Sequence, residues 1–186
     1  NIDVSHPKTF SQALGTIGRA RYAAVYNEGF RGEDEVEGFH KMASLDKVCA
    51  NLDELVACSD VGFIQACNWD KHLAHATPFL KAGKPVFIDK PMAGNLRDCA
   101  KLLEWERKGA VIMGSSSVRY CDEIRAFLDT PAKERGQLLH ASITVGVDEF
   151  NYAIHSVESI LGFIGDVSPI STRFIGTSVA GDVPCD

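Results

Sequence analysis

The stretch Pro85-Val86-Phe87-Ile88-Asp89-Lys90-Pro91 decides how this chain is read. A short run of β-branched and aromatic residues closed by proline reads as a buried strand that delivers a lysine at its carboxyl end. Ligands of open α/β sheets gather at the carboxyl ends of the strands. Lys90 placed there can hold a phosphate or a substrate oxygen by charge, or carry a proton if burial lowers its pKa. The alternative is a solvated lysine that closes a strand.

Outward from this stretch, short β-rich runs alternate with longer amphipathic ones, the pattern of parallel strands joined by helical crossovers. Residues 22–26, 47–50, 61–67, 85–89 and 110–114 read as strands. Residues 7–14, 52–58, 71–82 and 96–107 read as helices, the last with apolar positions Leu96, Cys99, Leu102 and Leu103. Gly83 stands where a helix-ending glycine belongs. Residues 29–38, carrying Glu33, Asp34, Glu35 and Glu37, read as an acidic exposed loop or a helix start. The layout predicts a doubly wound α/β domain over residues 1–121.

Beyond it the pattern changes. A helix over 123–128 and a turn at Thr130-Pro131 precede an alternation of Leu139, Ala141, Ile143 and Val145, which predicts a strand of a second sheet. A helix over 151–163 and a strand over 170–174 follow, so residues 122–186 read as part of an α+β domain. The first helix starts so early that a preceding strand would lie before Asn1; without it a central ladder would go unpaired. A piece of a longer protein is therefore expected.

A chain of 186 residues with 45% hydrophobic and 24% charged residues suits a globular domain. The net charge of −6 and a pI near 5.5 give no basic surface for nucleic acid or anionic lipid. No apolar run approaches the roughly 20 residues of a membrane-spanning helix. The expectation is no nucleic acid, no membrane and a cytoplasmic location. The six cysteines lack CxxC or metal-ligand spacing and read as reduced and mainly buried.

Three segments together resemble the glucose-fructose oxidoreductase and inositol dehydrogenase family (Gfo/Idh/MocA). They are Asp60 to His72, His75 to Gly83, and Pro85 to Pro91, which are similar to the family's strand ending in Ala-Thr-Pro-Asn-x-x-His, its helix closing on Ala-Gly-Lys, and its Glu-Lys-Pro signature. Gly114 to Tyr120 looks like the strand that leaves the nucleotide domain. The resemblance implies a Rossmann-like domain, NAD or NADP as cofactor, a sugar or polyol substrate, and a homo-oligomer in the full-length protein. Lys90 inherits the role of binding nicotinamide and substrate, with Asp89 in place of the glutamate. Asn151-Tyr-Ala-Ile-His155-Ser-Val-Glu158 resembles the family's Asp-x-x-x-His-x-x-Asp helix, which makes His155 the candidate base that takes the hydroxyl proton. Positions 151 and 155 share a helix face and can address one substrate.

Several alternatives stay open. His155 can be a histidine packed on a sheet, and an amide at Asn151 cannot stabilise imidazolium as a carboxylate does. Glu158 can substitute in part or stand solvated at the surface. The phosphate-loop region, Asn1 to Pro7, has no glycine to admit a pyrophosphate; Ser5 or His6 can cap a helix beginning at Pro7, where the dipole favours an anion. Asn27 and Glu28 fall where a Rossmann acid grips ribose hydroxyls, although Glu28-Gly29 can equally be a turn. By the same resemblance Asn68 and His72 border the nicotinamide, His72 otherwise packing on Trp69. Cys67 reads as a small packing residue or a reactive thiol, and Arg119 as a positioning group. The expected reaction is hydride transfer at a hydroxyl-bearing carbon. A sugar- or nucleotide-binding protein without redox turnover, and an NAD-dependent sugar lyase or glycosidase, are the other readings.

Overall fold

The computed structural model describes residues 1–146, 149–165, 167–173, 178–180 and 183–185, which fall into two compact units divided between Gly114 and Ser115.

The first unit alternates helices and short parallel strands: α1 (His6–Ile17), β1 (Ala24–Val25), α2 (Glu33–Met42), β2 (Lys47–Val48), α3 (Leu52–Ala57), β3 (Gly62–Ile64), α4 (His72–Lys81), β4 (Val86–Ile88), α5 (Leu96–Arg107) and β5 (Ile112–Met113). Strands β3, β4 and β5 form one parallel sheet, with Ile64 opposite Ile88 and Val86 opposite Ile112. Strands β1 and β2 form a separate parallel pair. The single sheet expected from the sequence is thus two sheets. A cavity of about 480 Å³, lined by residues of the β1 and β3 segments together with Leu14, Phe39 and Phe79, lies between them.

Why these residues form these elements is legible locally. The side chains of Asn51 and Asn95 accept from the amides of Glu54 and Asp98 and cap α3 and α5. At α2 the Gly32 amide donates to Glu35, and Glu33, Asp34 and Glu35 place negative charge at the positive end of the helix. The acidic run is therefore a helix start, and Phe39 anchors that helix into a small core with Ile2, Val25 and Leu45. Gly83 adopts φ +70° and donates to the Leu80 carbonyl, closing α4 in a conformation that costs glycine no Cβ strain.

The main core gathers Ile64, Ala76, Phe79, Leu80, Val86, Ile88 and Leu102 under the β3–β4–β5 sheet. Only Leu102 of the four apolar positions read on α5 is buried; Leu96 is 87% exposed and Cys99 is exposed. The expectation of mainly buried cysteines is corrected in the same way. Cys49 is buried, but Cys58, Cys67 and Cys99 are exposed and Cys121 is half-buried: Cys58 and Cys121 stand at helix ends, Cys67 in the loop after β3, and Cys99 on an outward face of α5; all five are free. The side chain of Cys185 lies outside the described residues.

The second unit contains a 3-10 turn at Ser117–Tyr120, α6 (Asp122–Asp129), α7 (Ala132–Arg135), α8 (Glu149–Ile164) and an antiparallel pair, β6 (Ser178–Ala180) and β7 (Val183–Cys185). Helix α8 packs close on the turn and on α6. A Cβ on Gly162 would come within 2.9 Å of the Arg119 carbonyl oxygen, and Phe127 meets Phe163 edge-on at 5.2 Å. The strand expected over Leu139 to Val145 does not form: residues 137–146 carry no regular structure, and Leu139 is 84% exposed. An alternating pattern becomes a strand only when a ladder partner takes its amides and a packed face its apolar side chains. Residues 170–173 likewise carry no strand, and Phe174 lies outside the described residues.

Candidate functional site

Strand β4 hands the chain to its candidate lysine through Asp89. The Asp89 amide donates to the Ile64 carbonyl (2.9 Å) as the last rung against β3. The Asp89 side chain is buried, and burying a carboxylate is costly unless it is paired. Its Oδ1 accepts from the Lys90 amide (2.8 Å), and its Oδ2 bonds His6 Nδ1. The His6 ring stacks on Phe10, which packs edge-on against Phe87 at 5.7 Å. The start of α1 is thereby tied to the backbone that carries Lys90. The Lys90–Pro91 peptide is cis.

A second cluster forms around Glu28, just beyond β1. Glu28 Oε1 accepts from Lys71 Nζ (2.7 Å) and His75 Nε2 (3.0 Å), and Oε2 accepts from the Tyr26 hydroxyl (3.0 Å). The hydrogen bonds from Lys71 and then His75 hold the Glu28 carboxyl down at about 2. For His75 burial outweighs the attraction of Glu28 and lowers its pKa, so the neutral imidazole donates its Nε2–H to the carboxylate. An adjoining cavity of about 610 Å³ is lined by Asp3, Glu28, Gly29, Cys67, Asn68 and Lys71, among others.

A carboxylate whose folded pKa is depressed stabilises the fold above its unfolded pKa and loses that contribution as pH falls through the folded one. The melting temperature of Glu28→Gln should therefore lie below that of the unsubstituted protein at neutral pH, and the gap should narrow as pH falls from about 4.5 toward about 2. Thermal melts across that range check it. A gap independent of pH would show that the charge on Glu28 is not what matters.

Of the residues singled out in the sequence, Glu28, Cys67 and Asn68 line one cavity. Others are engaged elsewhere. The Ser5 side chain makes no capping hydrogen bond, the helix begins at His6 rather than Pro7, and the His6 ring is turned to Asp89; neither side chain caps α1 as expected. Asn27 accepts from the Ile2 amide (3.1 Å) and donates to the Arg31 carbonyl (3.2 Å), bracing the chain behind the cavity. His72 is buried, with Nε2 hydrogen-bonded to the Ala66 carbonyl (2.8 Å), so it acts on the end of β3 from inside the core. Asn68 accepts from the Asp70 amide (3.0 Å) and caps the 3-10 turn Trp69–Lys71. The exposed Cys67 does not pack as a small core residue.

Sequence reasoning missed three residues here. Asp3 is buried, and its carboxylate accepts from the amides of Phe30 (3.1 Å) and Cys67 (3.4 Å), joining the loops that follow β1 and β3. Nothing in its neighbours signals this. Lys71 and His75 stand four apart at the start of α4, a spacing that places both on one helix face and could have marked them as joint partners of an acid.

In the second unit, Ser116 Oγ lies 2.5 Å from His155 Nδ1, and the Tyr152 ring lies 5.5 Å from the His155 ring. Asn151 sits one turn earlier on the same helix. Glu158 is not a solvated carboxylate: it accepts from Ser115 Oγ (2.6 Å) and from Arg119 Nη1 (3.5 Å). That pairing commits Arg119 to bracing α8.

Parallel strands, crossover helices and an acid beyond β1 define the first unit as a Rossmann-type dinucleotide-binding unit. A family described as oxidoreductases with an NAD-binding Rossmann fold, GFO_IDH_MocA, matches residues 9–116, and the chain belongs to that family. Among curated proteins it is similar to an inositol 2-dehydrogenase of Gluconacetobacter diazotrophicus, 37% identical over 60 residues, which are 32% of this chain and 18% of that protein. An inositol 2-dehydrogenase of Klebsiella pneumoniae is 33% identical over 63 residues, 33% of this chain and 19% of that protein. The matched stretches thus span less than a fifth of the curated relatives' length. Among solved structures, an NAD-binding oxidoreductase from Klebsiella pneumoniae shares the fold with a TM-score of 0.55 at 22% identity, over 71% of this chain and 35% of that one. A UDP-N-acetylglucosamine 3-dehydrogenase from Acidithiobacillus ferrooxidans does so with a TM-score of 0.54 at 17% identity, over 65% and 38%.

Glu28 keeps acceptor capacity for a further hydroxyl. A carboxylate offers about four acceptor sites, and the three donors on Glu28 leave room for a hydroxyl. Among the described residues no helix is long and apolar enough to cross a membrane.

Proposed function

We propose that the protein is a nicotinamide-dependent dehydrogenase that oxidises a hydroxyl-bearing carbon of a sugar, an inositol or a related polyol. The observation that carries this reading is the Asp89-Lys90-Pro91 signature, with Asp89 fixed by His6 and by the Lys90 amide itself, at the carboxyl end of a strand in an NAD-binding family. The inositol 2-dehydrogenase relatives support the polyol substrate. Glu28 accepts the ribose hydroxyls, beside a cavity lined also by Cys67 and Asn68. When bound, the nicotinamide supplies the hydride acceptor. Lys90 stabilises negative charge on the reacting oxygen, and His155 takes the hydroxyl proton, roles that electrostatics assigns to a cation and to a neutral imidazole. Asn151, one turn from His155, positions the substrate.

Hydride transfer is tested by incubating the protein with NAD or NADP and a panel of inositols and sugars while following the absorbance of reduced nicotinamide. Substrate-dependent reduction is expected. Binding of polyol without any cofactor binding or reduction would replace this reading with a non-catalytic binding protein. Release of a leaving group without net reduction would replace it with a lyase or glycosidase.

A further inference from the structure

We infer that Cys49 and Cys58 form a redox modification site: a low-molecular-weight disulfide oxidises the pair to an internal disulfide that ties the end of β2 to the end of α3. The two Sγ atoms lie 3.8 Å apart, and both thiols are free. Cys49 directly follows β2, and its amide donates to the Val25 carbonyl of β1 (2.7 Å). Cys58 closes α3, its amide donating to the Glu54 carbonyl (3.2 Å). Between them the Asn51 side chain caps α3, and Glu54 pairs with Lys47 Nζ of β2 (2.7 Å), so the connection that brings the two thiols together is braced by its own residues.

The pair is asymmetric, and the asymmetry orders the chemistry. Cys49 is 5% exposed, whereas Cys58 is exposed and lines the cavity of about 480 Å³. Thiol–disulfide exchange is the attack of a thiolate on a disulfide sulfur, and it requires access. Cys58 therefore meets the reagent RSSR first: its thiolate bonds one sulfur, the reagent's S–S bond breaks, and RS⁻ leaves and takes up the proton that Cys58 gave. Burial, and then the adjoining Cys58 thiol, push the pKa of Cys49 up, so Cys49 keeps its proton until Cys58 has been consumed. The Cys49 thiolate then attacks Cys58 Sγ, and the second RS⁻ leaves with the proton of Cys49. The two cysteines lose two electrons and two protons, and RSSR becomes two RSH. The sulfurs must close from 3.8 Å to about 2 Å, a movement that falls to the exposed Cys58 and gives up its weak S–H bond to the Leu55 carbonyl (3.6 Å).

The test exposes the reduced, folded protein at neutral pH to oxidised glutathione and follows the products by mass spectrometry. A protease that cuts after Glu and Asp cleaves at Glu54, between the two cysteines, so their peptides stay joined only through the disulfide. Against roughly 0.1 mM reduced glutathione the Cys49–Cys58 cross-link should exceed the glutathione adduct at Cys58 by about tenfold, because a thiol already in contact competes at an effective concentration of a millimolar or more. Cys49→Ser and Cys49→Ala should each stop at that adduct. A lasting adduct at Cys58 in the unsubstituted protein would overturn the inference, as would a cross-link from Cys58 to a different cysteine or one that forms only in urea. These outcomes are read on the unsubstituted chain and do not depend on either variant folding.

Discussion

Replacing Lys90 with Ala should lower kcat on the polyol substrate by roughly 10²–10³-fold, the effect of deleting one fixed group that stabilises charge on a reacting oxygen. The expectation follows from how the backbone at position 90 is held. The Asp89 amide closes the ladder against β3, and its carboxylate bonds His6 on one oxygen and the Lys90 amide on the other. A charge that must act at one point contributes most when its support is pre-set, because no reorganisation is left for the moment of reaction. Lys90→Arg should recover little, since a planar fork on a different stem cannot place charge at the same point. The measurement is steady-state kinetics beside direct titration of the cofactor. A kcat within a few-fold of the unsubstituted value, with the cofactor still bound, would remove Lys90 from the chemistry.

His6 carries a companion lesson about the phosphate loop. The sequence shows a glycine-free segment and invites the thought that Ser5 or His6 caps the helix toward an anion. In the structure the ring is spent on Asp89, and the residue that joins the loops after β1 and β3 is Asp3. An aspartate that accepts two backbone amides many residues away has no local signature, because its partners are brought in by the fold. Glu28 differs. Its position after a short strand was readable, and so was the shared face of Lys71 and His75, but not that the two meet: Tyr26 is a neighbour in sequence, whereas Lys71 and His75 are brought to Glu28 by the fold.

The same division explains the successes and failures among the elements. Helix α5 was readable to its ends because Asn95 caps it from within the sequence, and α4 because Gly83 closes it. Burial on α5 was not readable, since periodicity marks a face without saying whether anything covers it: Leu102 is inside and Leu96 is in water. Leu139 to Val145 fails for that reason too. Its alternation is a property of the segment, whereas a strand is a property of a pair, and the antiparallel pair of the second unit uses 178–180 and 183–185 instead.

The largest stability effect should come from Phe79, whose ring is 1% exposed at the centre of the main core. Truncation to Ala removes a buried aromatic and leaves a cavity that the sheet above cannot fill, a loss of about 3–5 kcal/mol. A domain typically has about 5–15 kcal/mol in all. Thermal and urea melts should show a marked fall, and a change under about 1 kcal/mol would mean the core collapses around the gap. The ring also explains a glycine. A Cβ on Gly62 would stand 2.8 Å from the Phe79 ring, so Gly62→Ala alone must push β3 off α4 and should be destabilising. With the ring gone the clash goes too, and the added methyl fills part of the void while reducing the freedom of the unfolded chain. Gly62→Ala should therefore turn from destabilising to neutral or favourable in the Phe79→Ala background. Additive effects of the two substitutions in a double-mutant cycle would show that β3 and α4 do not meet through this contact.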